Sequence, residues 1–124
     1  MNQTPMKVLV VDDDPFTAEL TGLILEEAGY EALVAEGGPD ALEQISENPA
    51  IRAVVSDLNM PFMDGLQLFA ELREQGYAQP FVLLTGDDAA PLMSAHPDLD
   101  AVLTKDGNLQ EVLPELLESL LARG

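Results

Sequence analysis

The sequence predicts a doubly wound α/β fold: a five-stranded parallel sheet covered by helices on both faces. Two observations predict it. Five short runs rich in Val and Leu carry little polar alternation, as strands do when both their faces are buried. Between them lie segments whose apolar residues recur three or four apart, and strands alternating with helices at this spacing imply right-handed parallel βαβ units. The 124 residues, 47% of them hydrophobic, suit one domain with its own core, taken as residues 1–124.

The first strand is "KVLVV" (7–11). A helix over Phe16–Ala28 follows, with an apolar stripe of Phe16, Leu20, Leu23, Ile24 and Ala28. The second strand is "EALVA" (31–35), and the next helix, about Pro39–Ser46, opens on a proline and buries Ala41, Leu42 and Ile45. The third strand, "AVVS" (53–56), leads to a helix over Leu66–Gln75 that carries Leu66, Leu68, Phe69 and Leu72 and stops at Gly76. After the fourth strand, "FVLL" (81–84), the helical segment at about Asp88–Ala95 is short, contains Pro91 and is expected to be mobile. The fifth strand is "AVL" (101–103). The last helix, over Asn108–Ala122, has Asn108 as its cap, and Pro114 predicts a kink or a break with the firm helix starting near it.

Composition narrows the function. With no cysteine, disulfides and thiolate metal sites are excluded. The apolar runs fall far short of the roughly 20 residues that span a bilayer, and "MNQTPMK" lacks a signal-peptide pattern. The expected location is cytoplasmic, without a membrane partner. A net charge of −18, from 23 acids against five bases, makes nucleic acid a poor partner for this chain alone and favours cations and basic protein surfaces.

Sites in open parallel sheets form outside the carboxyl ends of the strands. There the sequence places Asp12, Asp13 and Asp14 after the first strand and Asp57 after the third. Thr85 and Gly86 follow the fourth, and Thr104 and Lys105 the fifth. Clustered carboxylates suit a hard divalent cation such as Mg²⁺. A carboxylate can also attack phosphorus, and the phosphoryl oxygens then need positive charge and hydrogen-bond donors. A metal cage alone needs neither Lys105 nor Thr85. Asp14, before Pro15, reads as a helix cap, Asp64 as a turn residue before Gly65, and the single histidine, His96, is given no catalytic role.

The segments "VVDDDP", "SDLNMPFMDG", "LLTG" and "VLTKD", in this order and each ending a strand, resemble a receiver domain of two-component response regulators along the whole chain. The resemblance implies a flavodoxin-like fold with strand order 2-1-3-4-5 and five helices. It implies that Asp57 accepts a phosphoryl group from a histidine of a sensor kinase or phosphotransfer protein, switching the binding of a downstream target. It implies that Asp12, Asp13, Asp57 and the backbone carbonyl of Asn59 hold Mg²⁺. Thr85 would be the hydroxyl that swings toward the phosphoryl group, Lys105 the ammonium that pairs with it, and Pro61 and Gly65 would shape the loop after Asp57. Such a protein acts on itself and is not expected to be an enzyme in the ordinary sense.

Three departures stand beside the resemblance. Asp106 follows the lysine where the family has proline, Val102 stands where an aromatic residue is usual, and the fourth helix is short. They leave an alternative: a receiver-like interaction domain that works without phosphorylation. A phosphatase with an aspartate nucleophile would need an acid two residues after it, and Asn59 cannot transfer protons.

Overall fold

The computed structural model describes residues 5–123; the first four residues of the opening stretch lie outside it. Strands β1 (Lys7–Val11), β2 (Glu31–Ala35), β3 (Ile51–Asp57), β4 (Phe81–Thr85) and β5 (Ala101–Thr104) alternate with helices α1 (Pro15–Glu27), α2 (Gly38–Glu47), α3 (Gly65–Glu74), α4 (Ala89–Ala95) and α5 (Leu109–Arg123). The strands form one parallel sheet in the order β2-β1-β3-β4-β5, as expected.

Alternate residues of each strand enter opposite layers. Val8, Val10, Val55, Val82 and Leu84 pack with α1 and α5; Leu9, Val11, Val54, Phe81 and Leu83 pack with α2 and α3. Both layers are apolar, which is why the strands show no alternation in sequence. On the outer edge, the Gln44 side-chain amide donates to the Val34 carbonyl at 2.9 Å, and Asp40 Oδ2 accepts the Glu36 N–H at 3.0 Å.

Two expectations need correction. On α1, Phe16, Leu20 and Leu23 are exposed, and the helix buries Ala18, Thr21, Gly22 and Leu25 instead. The helix approaches the sheet closely at Gly22, where a Cβ would sit 3.5 Å from the Ala32 Cβ, in van der Waals contact.

Of the kink or break expected at Pro114, the break is absent: α5 is one helix from Leu109 with Pro114 inside it. An interior proline costs about 3 kcal/mol, whereas each fully buried leucine contributes roughly 1.5–3 kcal/mol. Leu109, Leu113, Leu117, Leu120 and Leu121 are all buried along α5, so packing wins. Gln110, whose carbonyl loses its helical partner, is exposed to water.

The helix ends follow sequence chemistry. Asp14 caps α1 by accepting from Phe16 N–H and Thr17 Oγ1, both at 3.0 Å. Gly76, at φ 92°, ends α3 as predicted. At the start of α5, Asn108 takes the cap position, its carbonyl accepting the Val112 N–H at 3.0 Å, and Asp106 Oδ1 accepts the Asn108 N–H at 2.9 Å. Helix α4 is short as expected, and none of its seven residues is buried.

Candidate functional site

The carboxyl ends of the strands bring the candidate residues together. β1 and β3 are neighbours, so Asp12 and Asp13, just past Val11, come beside Asp57 at the last position of β3. One carboxylate oxygen from each of the three lies within 4.8 Å of the others. Asp12 and Asp57 are buried and Asp13 is exposed. β4 and β5 pair through Thr85 and Thr104, and the Lys105 N–H donates to the Thr85 carbonyl at 2.7 Å. That register carries the Lys105 side chain inward, with Nζ 2.6 Å from Asp57 Oδ1 and 4.0 Å from Asp12 Oδ2.

Three carboxylates therefore face one ammonium. Burial, the main cause, holds the Asp12 carboxyl above the usual carboxylate range, and the charges of Asp57 and Asp13 add to it. The Asp14 N–H, donating to Asp12 Oδ1 at 2.9 Å, and Lys105 work in the opposite direction. The excess of two negative charges and the oxygen donors fit a hard divalent cation.

Thr85 is almost fully buried, and its Oγ1 accepts the Asp87 N–H at 3.1 Å. Thr104 Oγ1 donates to the carbonyl of the same Asp87 at 3.3 Å. The hydroxyl of Thr85 is thus bonded to the β4–α4 connection, while its own hydrogen is not used in that bond.

The loop after Asp57 is tightly held. The Gly65 N–H donates to the Leu58 carbonyl at 2.8 Å, closing the loop. A Cβ on Gly65 would lie 2.5 Å from the Asp57 carbonyl oxygen and 2.5 Å from Leu83 Cδ1, so only glycine fits. Asp64, read as a turn residue, caps α3 through reciprocal bonds with Gln67. Met63 sits on Gly38, where a Cβ would meet its Sδ at 2.6 Å. Asn59 lies exposed within this closed loop.

A family model described as "Response regulator receiver domain" matches residues 8–116. The chain belongs to the response regulator receiver family. It is 38% identical over 91 residues to the transcriptional regulatory protein GlrR of Escherichia coli, covering 73% of this chain and 20% of that protein. It is 36% identical over 121 residues to the response regulator MprA of a Mycobacterium species, covering 96% of this chain and 49% of that one. The chain thus spans half or less of these curated relatives. Among solved structures, the receiver domain of a Francisella response regulator superposes with a TM-score of 0.85 at 31% identity, covering 97% of this chain and 98% of that one. TrrA of Thermotoga maritima, solved in complex with Mg²⁺ and BeF, superposes at 0.82 with 31% identity, covering 92% and 97%.

One further residue of the loop after Asp57 has an unusual backbone. The Met63 N–H donates to the Pro61 carbonyl at 2.8 Å, and Phe62 between them has φ 70°. This is a γ-turn of the strained, positive-φ kind, which costs on the order of 1–3 kcal/mol at a residue other than glycine. The Phe62 ring is 99% exposed. Nothing in "MPFMDG" signals the turn, since the usual cue is Gly or Asn and here a bulky ring takes the place. Among the described residues no helix is long and apolar enough to cross a membrane.

Proposed function

We propose that this receiver accepts a phosphoryl group on Asp57 from a phosphohistidine of a sensor kinase or phosphotransfer protein, and that a downstream protein reads the product. The contact between Lys105 Nζ and Asp57 Oδ1 carries this reading. A lysine so placed loses its carboxylate partner when Asp57 is phosphorylated, and a phosphoryl oxygen replaces it. In the step itself an Asp57 oxygen attacks phosphorus, the bond to the histidine nitrogen breaks, and the acyl phosphate forms. Asp12, Asp13, Asp57 and the Asn59 carbonyl would hold Mg²⁺, which supplies charge neutralisation between the carboxylates and the incoming phosphoryl oxygens. Lys105 contributes the fixed positive charge. Thr85, whose hydroxyl hydrogen is uncommitted, donates to a phosphoryl oxygen after giving up the Asp87 N–H.

The reading also places the protein in the cytoplasm, acting on itself rather than turning over free substrates. Its strongly acidic surface favours protein partners over nucleic acid and anionic membranes.

Incubation with Mg²⁺ and a small phosphodonor, followed by intact-mass measurement, tests the proposal. One labile phosphoryl group is expected on the wild type and none on Asp57→Asn. An unmodified wild type would favour the phosphorylation-independent alternative. Thermal melts supply a second arm: Mg²⁺ at 100 times its dissociation constant stabilises the fold by about 2.7 kcal/mol relative to EDTA. Coincident melts would refute the metal assignment.

A further inference from the structure

The four phenylalanines divide into two pairs. Phe69 and Phe81 pack edge to face in the core, with ring centroids 5.3 Å apart. Phe16 and Phe62 are exposed, by 69% and 99%. Both exposed rings belong to connections at the carboxyl edge of the sheet. Phe16 is the second residue of α1, just after the Asp12–Asp14 run, and Phe62 lies on the loop after Asp57. β1 and β3, which feed those connections, are adjacent in the sheet.

Phe62 is unfavourable for this chain in two ways. An apolar ring stands in water, and its backbone occupies a conformation that glycine would adopt without strain. Its turn is also fixed on both sides, by the Gly65–Leu58 bond and by the seat of Met63 on Gly38. The ring is therefore held out from the edge where Asp57 receives its phosphoryl group. The metal, the lysine and a small phosphodonor have no use for it. A protein donor does, because its phosphohistidine must be brought to the buried Asp57 over this rim.

We infer that Phe62 is the apolar anchor for the protein phosphodonor, received by apolar side chains that flank the donor's phosphohistidine. Phe16 forms a second, lesser apolar contact on the β1 side. The donor's rim is basic, complementing a net charge of −18. This inference rests on the reading of Asp57 as phosphoacceptor. A large ring on a backbone already fixed, with only two side-chain torsions left to order, is the kind of residue that concentrates binding energy at an interface.

The test compares two donors on the same chain. The first is a small phosphodonor with Mg²⁺. The second is the set of purified, autophosphorylated histidine kinases of the protein's own organism, tried one by one. For Phe62→Ala and Phe62→Gly, the ratio of kinase-dependent to small-donor phosphorylation should fall about tenfold or more, as for loss of an interface hot spot. For Phe62→Leu, which keeps an apolar side chain, the ratio should fall much less. A ratio unchanged in all three variants overturns the anchor. So does a ratio lost in Phe62→Ala but kept in Phe62→Gly, because loop geometry rather than the ring would then matter. Unchanged ratios with altered self-association by light scattering would assign the ring to a contact between copies of this chain. If the small donor labels Asp57 and no kinase does, the anchor is also overturned. Failure of the small donor itself would instead sink the phosphoacceptor reading.

Discussion

The connections after β3 and β4 end at the same edge of the sheet, yet they are built in opposite ways. Residues 58–64 are closed by the Gly65–Leu58 bond, seated through Met63 on Gly38 and locked to α3 by the reciprocal Asp64–Gln67 bonds. Residues 86–100 contain a seven-residue helix with no buried side chain. Near its start this segment is tied by the Thr85–Asp87, Thr104–Asp87 and Asp88–Ala90 bonds. The first connection follows Asp57, the proposed nucleophile, and stores strain at Phe62; the second holds the Thr85 hydroxyl that the proposed switch would move. A switch needs this contrast, because a few weak bonds can be exchanged while a braced loop keeps its geometry.

The sharpest way to break the comparison is to put the same methyl group on each side. Gly65→Ala must displace the Asp57 carbonyl or Leu83, so a loss of about 1–3 kcal/mol is expected, together with impaired phosphorylation. Urea melts and intact mass would measure both. At Gly86 a Cβ meets nothing within 4 Å. There the same change should be neutral or stabilise by about 0.4–1 kcal/mol through the unfolded chain. Equal losses at the two glycines would refute the contrast.

A smaller effect is expected at the hydroxyl. Thr85→Val removes the acceptor of the Asp87 N–H and should cost about 1 kcal/mol. Amide exchange should quicken across residues 86–96 and stay unchanged across 58–64. A phosphoryl mimic with Mg²⁺ should do the reverse to the wild type, slowing exchange in 86–100 alone. Identical exchange with and without the mimic would show that this segment does not report phosphorylation.

The smallest effect concerns Asp12, whose carboxyl is held above its unfolded range chiefly by burial. A raised carboxyl favours the fold below the unfolded value, and that contribution is lost as pH rises through the folded value. In EDTA, the Asp12 contribution to stability should therefore fall as pH rises through the carboxylate range toward neutrality, read as the difference between the wild type and Asp12→Asn. Asp12→Asn should flatten that slope and raise the melting temperature at neutral pH. Mg²⁺ should remove the advantage of the variant, and a melt insensitive to either change would show that the cluster is not under electrostatic stress.

The sequence made the strand order of chemistry legible because both-face burial leaves uninterrupted Val and Leu runs, each stopping at a polar residue. β1 and β2 have the expected bounds, and β3 and β4 extend to include Asp57 and Thr85 themselves. Asp12, Asp13, Asp57 and Lys105 converge as the order of segments implied. What hydropathy could not reveal was steric. On α1 it selected Phe16, Leu20 and Leu23, while the helix turns Ala18, Thr21, Gly22 and Leu25 inward. At Pro114 local propensity lost to the leucine face of α5. Phe62 escaped because a backbone conformation forced by a closed loop leaves no mark in residue type.

The two side-chain bonds from α2 to β2 have a consequence far from the phosphoryl site. Val34 is 45% exposed on the outermost strand, and such an edge invites another chain to add itself as a further strand. Gln44 occupies the Val34 carbonyl and Asp40 occupies the Glu36 N–H, so two rungs of that ladder are already taken. Helix α2 thus blocks two of the positions at which another chain could extend the sheet past β2.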